Sequence, residues 1–226
     1  MRKLFFLLGF MLVGLFVSSN WITEARQTTI EERFAAESAL DEGANGAYSF
    51  DKAHSSIGFR VKHMGLVDVP GFFRDFTGTV NYDPKDVTKS TVEFTAKVTS
   101  VDTGVAPRDN HLRTADFFEV EKYPDMTFKS TKIEKKGKDL ILTGDLTMKG
   151  VTKSISFPFT VAGFIKSERG TRMGATAETV INRKDFGVNY DQKLPNGTPS
   201  LSDNITVVLN IEANMAAPKP ETKPAE

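Results

Sequence analysis

The sequence predicts an all-β domain built from about eight antiparallel strands. Apolar and polar residues alternate in segment after segment, the period of a strand with one buried face. Turn signals such as "YDPKD", "KKGKD" and "LPNGTP" separate those segments. The strand–helix alternation that builds a parallel sheet is missing.

The chain opens with "MRKLFFLLGFMLVGLFVSSN". Arg2 and Lys3 precede an apolar run from Leu4 to Val17, and Ser18 and Ser19 close it. That is the layout of a secretory signal peptide over 1–19. The run is shorter than the roughly 20 residues of a membrane span. Residues 20–46 are rich in Ala, Glu and Thr and read as a polar spacer with a marginal helix around Ile30 and Phe34, ended by "DEGANG".

The β domain spans 47–214, a size suited to one domain. "IGFRVKH" sets Ile57, Phe59, Val61 and His63 on one face, with Arg60 and Lys62 on the other. "FTGTVNY" aligns Phe76, Val80 and Tyr82, and "TVEFTAKV" aligns Val92, Phe94, Ala96 and Val98. "MTFKST" offers Met126 and Phe128, and "LILTGDLTM" offers Leu140, Leu142, Leu146 and Met148. "ISFPFTV" aligns Ile155, Phe157, Phe159 and Val161, with Pro158 marking an edge or bulge. "MGATAETVI" and "NITVVLNIEA" complete the set.

Between strands, "VDTGVAPRDNHLRTADFF" gathers Arg108, Asp109 and His111. Asp109 or Asn110 suits an N-cap, Leu112 and Ala115 follow at helical spacing, and "EKYPD" breaks the pattern. A short helix is expected at 109–118. The tail 215–226 is rich in Pro, Lys and Glu and is expected to be disordered.

Eight such strands form either a sandwich or a closed barrel. The choice is settled by resemblance. "DKAHSSIGFRVKHMG", "GFFRDFTGTVNYDP", "SVDTGVAPRDNHLRTADFFEVEKYPDMTFKST", "LTGDLTMKGVTKSISFPF" and "INRKDFGVN" resemble the YceI-like proteins in order and spacing. The resemblance implies a lipocalin-like eight-stranded antiparallel barrel and export to the periplasm. It further implies a long polyisoprenoid or other amphipathic lipid in an elongated apolar cavity. It implies no catalytic activity, and no cofactor besides bound lipid.

On a barrel, the inward faces nominate the lipid-binding residues. These are Phe59, Val61, Phe76, Val80, Phe94, Val98, Phe128, Leu142, Leu146, Phe157 and Phe159. His63 ends its apolar row and faces a head group or a backbone carbonyl. Phe117 and Phe118, ending the helix, would cap one mouth. The competing reading is that the same residues fill the barrel as a plain core.

Other chemistry finds little support. The chain has no cysteine, so disulfides, thiolate metal sites and lipidated cysteine are excluded. His54, His63 and His111 lack ligand spacing, and no metal is expected. The "GxSxG", "HExxH" and phosphate-loop motifs are absent. Arg108 and Asp109 therefore read as a structural ion-pair clasp, and Arg183 with Asp185 as a second corner beside Gly187, with contact between Arg183 and an anionic head group as the alternative. After cleavage the chain keeps 27 basic and 29 acidic residues, a net charge of −2, which disfavours nucleic acid. An isoprenoid-type lipid is the expected partner. Transient membrane contact and a homodimer are compatible with the sequence. Two alternatives stay open: a small lipid-directed hydrolase or isomerase with His63 or His111 as base, and a structural envelope stress module.

Overall fold

A computed structural model describes residues 42–216. The signal peptide, spacer residues 20–41 and tail residues 217–226 lie outside the described residues. Eleven strand segments follow in chain order: β1 (Gly46–Phe50), β2 (Ser56–His63), β3 (Val67–Phe73), β4 (Phe76–Tyr82), β5 (Thr91–Lys97) and β6 (Val101–Asp102). After the helix come β7 (Asp125–Lys136), β8 (Asp139–Met148), β9 (Val151–Ser167), β10 (Gly170–Asn182) and β11 (Leu201–Ala216).

They form an eight-stranded antiparallel barrel, because three pairs of segments are broken strands. β1 and β2 are one strand, which pairs with β4 and β3 respectively. β5 and β6 likewise continue each other along β4 and β3. The remaining strands meander in sequence order. Closure comes from β11, which meets β2 through Ile205↔Val61 and Leu209↔Ile57, and β1 through Phe50↔Ala213. The barrel's strands therefore run from 46 to 216, slightly past both ends of the expected 47–214.

Each break satisfies its own backbone. At 51–55 the Asp51 N–H and the Ser55 hydroxyl both donate to the Glu212 carbonyl, at 2.8 and 2.9 Å. At 74–75 the Asp75 N–H donates to Ser100 Oγ at 2.9 Å, and Arg74 reaches Asp102 at 2.9 Å. Pro158 lies one residue beyond the last β9–β10 pair, Ala177↔Phe159, where its missing N–H leaves no ladder bond unmade.

The helix departs from the sequence expectation. Helix α1 runs Ala106–Arg113, starting three residues earlier and ending five earlier than 109–118. Pro107 sits in its first turn, where a missing N–H costs nothing. Asp109 is no N-cap. It lies inside the helix, buried, and its carboxylate accepts the Thr103 N–H at 2.9 Å and the Thr103 hydroxyl at 2.5 Å. Thr114 ends the helix, donating its hydroxyl to the His111 carbonyl at 2.8 Å. Phe117 and Phe118 sit in the turn beyond.

Candidate functional site

The barrel interior is apolar and incompletely filled. An upper cavity of about 120 Å³ lies among Phe59, Val61, Phe73, Leu112, Phe118, Leu146 and their neighbours. A lower cavity of about 70 Å³ lies among Phe50, Val80, Tyr82, Leu142, Phe159 and Ile211. Ile57, Phe94, Phe128, Phe157 and Leu209 border both, so they form a waist between the two spaces. The Phe94 and Phe128 rings stack there at 5.7 Å, and Phe128 meets Phe157 at 5.8 Å.

Glycine lets these rings lie flat against the wall. A Cβ on Gly144 would fall 2.4 Å from the Phe128 ring, and one on Gly71 would fall 2.3 Å from the Phe59 ring. A larger residue at either place would push an aromatic ring into the lumen.

The two ends differ. At the lower end Tyr48, Tyr82 and Phe164 pack together, with ring centroids 4.8 to 6.4 Å apart. Burial pushes both phenols upward in pKa, which keeps them neutral. The upper cavity adjoins a mainly apolar vestibule of about 340 Å³ that carries several polar side chains, sharing Phe59, Val61, Leu112, Phe117 and Leu201 with it. His63, Thr103, Arg108, His111, Tyr190, Gln192 and Ser200 supply its polar groups. Phe117 and Tyr190 stack at 4.6 Å, and His111 stands edge-on to both.

The sequence-nominated residues distribute as follows. Phe59, Val61, Phe94, Phe117, Phe118, Phe128, Leu146 and Phe157 line the upper cavity. Val80, Leu142 and Phe159 line the lower one. His63 borders the vestibule. Phe76 and Val98 are buried in the core and border neither apolar cavity. Val98 starts a single 3₁₀ turn, and its N–H donates to the Pro124 carbonyl at 2.8 Å. Phe50, Phe73, Val188, Tyr190 and Ser200 line the site without having been nominated. Phe50 and Phe73 belong to short strands, and the other three lie between β10 and β11.

The clasp is real, but its chemistry differs from a direct Arg108–Asp109 pair. Arg108 donates to the Thr103 hydroxyl at 2.7 Å and to the Thr103 carbonyl at 2.8 Å. Asp109 holds that same threonine from the other side. Arg113 adds bonds to the carbonyls of Thr99 and Val101 at 2.8 and 2.9 Å. At the second corner, Arg183 bonds the carbonyls of Ser202 and Val188 and the carboxylate of Asp203, rather than Asp185. Gly187 follows with a positive φ of 74°, a shape that suits glycine.

Among the described residues no serine or threonine hydroxyl bonds to a histidine. His111 pairs with Asp116 at 2.8 Å, and His54 with Asp51 at 2.9 Å. Asp51, His54 and Glu212 converge near the seam, yet each is already engaged. Asp51 also accepts from the Ala53 N–H and from Asn214, and Glu212 accepts from Arg172 at 2.9 Å. The His54 bond is the main reason that the Asp51 carboxyl is held down at about 2. Asp51 in turn raises His54. The trio fastens the β1–β2 break to β11.

Known proteins share this architecture. Protein YceI of Escherichia coli O17:K52:H18 is 43% identical over 147 residues, 64% of this chain and 77% of that protein. The crystal structure of BcnA from Burkholderia cenocepacia superposes with a TM-score of 0.64 at 25% identity, covering 73% of this chain and 99% of that one. A polyisoprenoid binding domain from Saccharophagus degradans, implicated in plant cell wall breakdown, shares the fold at 18% identity and a TM-score of 0.58, covering 75% and 98%. The YceI-like domain model matches residues 48–213, nearly the whole barrel, and the chain belongs to that family.

Proposed function

We propose that the protein is an exported binding protein that holds a long-chain isoprenoid-type lipid, a polyisoprenoid or a quinone-like molecule, for carriage or sequestration. The observation that carries this reading is the sequence of spaces along one axis. A vestibule that carries the polar side chains leads to a wholly apolar cavity, then an aromatic waist, then a second apolar cavity. Each CH₂-sized unit moved from water into such a lumen gains about 0.8 kcal/mol. A prenyl tail needs nothing else from the wall, and the vestibule suits its polar end. Turnover is not part of the reading: among the described residues the bonded histidines, His54 and His111, pair with carboxylates and not with a hydroxyl.

The signal-peptide pattern at 1–19 supports export to the periplasm. The β2–β3 hairpin beside the vestibule exposes Leu66 and Val67, an apolar edge for loading from a bilayer.

The test is solvent extraction of the purified mature protein followed by mass spectrometry, together with uptake of added prenyl lipids. Long-chain lipid in the extract or saturable uptake is expected. Phe94→Arg, which sets a charge in the waist, abolishes uptake while the barrel's far-ultraviolet spectrum persists. Absence of both lipid and uptake overturns the proposal, as does full uptake by a folded Phe94→Arg variant.

A further inference from the structure

We infer that the lipid tail enters and leaves the lumen sideways, through a seam between β9 and β10 that the Phe186 ring closes. The inference rests on the isoprenoid reading and gives that ligand its route.

The seam is a stretch of wall without a ladder. β9 and β10 pair from Gly170↔Ser167 to Ala177↔Phe159, and among the described residues no pair joins them beyond that point. Both strands nevertheless continue, residues 151–158 of β9 paired to β8 alone and residues 178–182 of β10 paired to β11 alone. Pro158, the first residue past the last pair, has no N–H to offer a longer ladder. Opening the sheet elsewhere breaks main-chain hydrogen bonds, each worth about 0.5–1.5 kcal/mol. Opening it here breaks none between these strands and disturbs side-chain packing only. That packing borders the binding space, because Ile155 and Phe157 of β9 and Thr179 and Ile181 of β10 line the upper cavity. On the outside Val180 is 60% exposed, and Pro158 is exposed as well. A tail arriving from outside meets apolar lips before an apolar interior.

The cover over the seam is short and held from one side. The 3₁₀ turn Arg183–Phe186 packs against β9 and β11. Its Phe186 ring is 2% exposed and joins the core that holds Phe157 and Ile181. Polar bonds fix the turn to β11 and to the loop that follows it: Arg183 bonds Ser202, Asp203 and Val188, and Lys184 pairs with Asp203. Among the described residues none of the turn's hydrogen bonds reaches β9. A bend lies just below. Gly174 pairs with Gly163 and Ala175 with Val161, which leaves Ala162 bulged, and Gly163 has a φ of 143°. About this bulge β9 leans away from the turn while it stays paired to β8.

The chain has no cysteine, so a reversible link across the seam is unambiguous. Ser156→Cys and Val180→Cys place thiols at two exposed positions that would face each other if the ladder continued. A bis-methanethiosulfonate linker joins them, and a reductant releases it. The probe is a polyene-tagged prenyl alcohol delivered from detergent, with uptake followed by stopped flow and release by displacement. Linking should slow both rates at least about tenfold and hold the dissociation constant within about twofold, because a gate raises the barrier and leaves the bound state alone. Reduction should restore both rates. Phe186→Leu, which shrinks the side chain filling the gap, should speed both. Unchanged rates in the linked protein overturn the seam as the route. Unchanged rates in Phe186→Leu overturn the ring as its closure. A dissociation constant that shifts as far as the rates do overturns the gate, since the link would then have reshaped the lumen. Failure of the unlinked parent to take up the probe overturns the isoprenoid reading itself and this inference with it.

Discussion

Phe128 is the sharpest place to separate a binding lumen from a filled core. It is 3% exposed, stands in the waist, and contacts the rings of Phe94 and Phe157. Phe128→Ala removes a buried aromatic, a loss of about 3–5 kcal/mol. At about 2–4 °C per kcal/mol for a domain of this size, the ligand-free protein should melt ~6–20 °C lower. The same change removes part of the partition between cavities of about 120 and 70 Å³. A prenyl chain then lies through both and recovers contacts that the ring had made. If binding tightens about tenfold, saturating ligand narrows the stability gap by about 1.4 kcal/mol. Calorimetric melting of parent and variant, with and without saturating prenyl lipid, reads both quantities. A gap that ligand leaves unchanged would refute the reasoning, because the ring would then be packing a core that no chain enters.

Three further outcomes follow from the same geometry. Asp51→Asn should bring His54 back toward its ordinary 6.5, read by ring-proton NMR titration, and an unmoved value would remove Asp51 as the cause of the shift. For the parent, the depressed Asp51 contributes above its ordinary 3.8 and loses that contribution as pH falls through about 2. The raised His54 contributes below 6.5 and loses its contribution as pH rises through its own higher value, so the fastening is fully present between 3.8 and 6.5. Arg183→Lys should lower stability in urea by at least ~1–3 kcal/mol, the cost of an orphaned buried group, since an ammonium cannot serve three partners in the guanidinium's directions; an unchanged midpoint would refute that. Leu66→Glu with Val67→Glu should slow lipid uptake from neutral vesicles and leave the affinity for detergent-delivered lipid unchanged, and equal rates would remove the hairpin from loading.

Long alternating segments were legible because a half-buried strand writes its burial directly into the chain. β7 through β11 and most of their inward faces could be read this way. β1 and β3 were not, for different physical reasons. β1 is five residues long, too short for a period to show. In β3 the sequence "VDVPGFF" interrupts its own pattern with Pro70 and Gly71. Pro70 is tolerated because β6 flanks β3 only at Phe72 and Phe73, so that edge is open at the proline. Gly71 is needed because the Phe59 ring lies on it. The site was legible where strands supply it, through Phe59, Phe94, Phe128 and Phe157. Tyr190 and Ser200 were hidden because their segment has no period, and only chain closure brings it over the mouth. The helix boundaries moved because Pro107 takes the first turn and Asp109, inside the helix, turns its carboxylate back to Thr103 instead of capping, which a local N-cap pattern cannot distinguish from an ordinary start.

A closed barrel that breaks three of its strands must finish the freed backbone groups without turning charge toward an apolar lumen. The breaks use one solution throughout. Asp51 and Ser55 serve the first, Ser100 the second, and Arg113, Thr103 and Asp109 the third. Arg183 treats the turn after β10 in the same way. In each case a polar side chain is consumed by main-chain partners at the barrel wall. The density of charge in "VDTGVAPRDNHLRTADFF" therefore marks where the sheet is interrupted and the mouth is shaped. The fold and its lumen thus have a common cause: polar side chains committed to closing the backbone at the wall leave the tube behind them apolar.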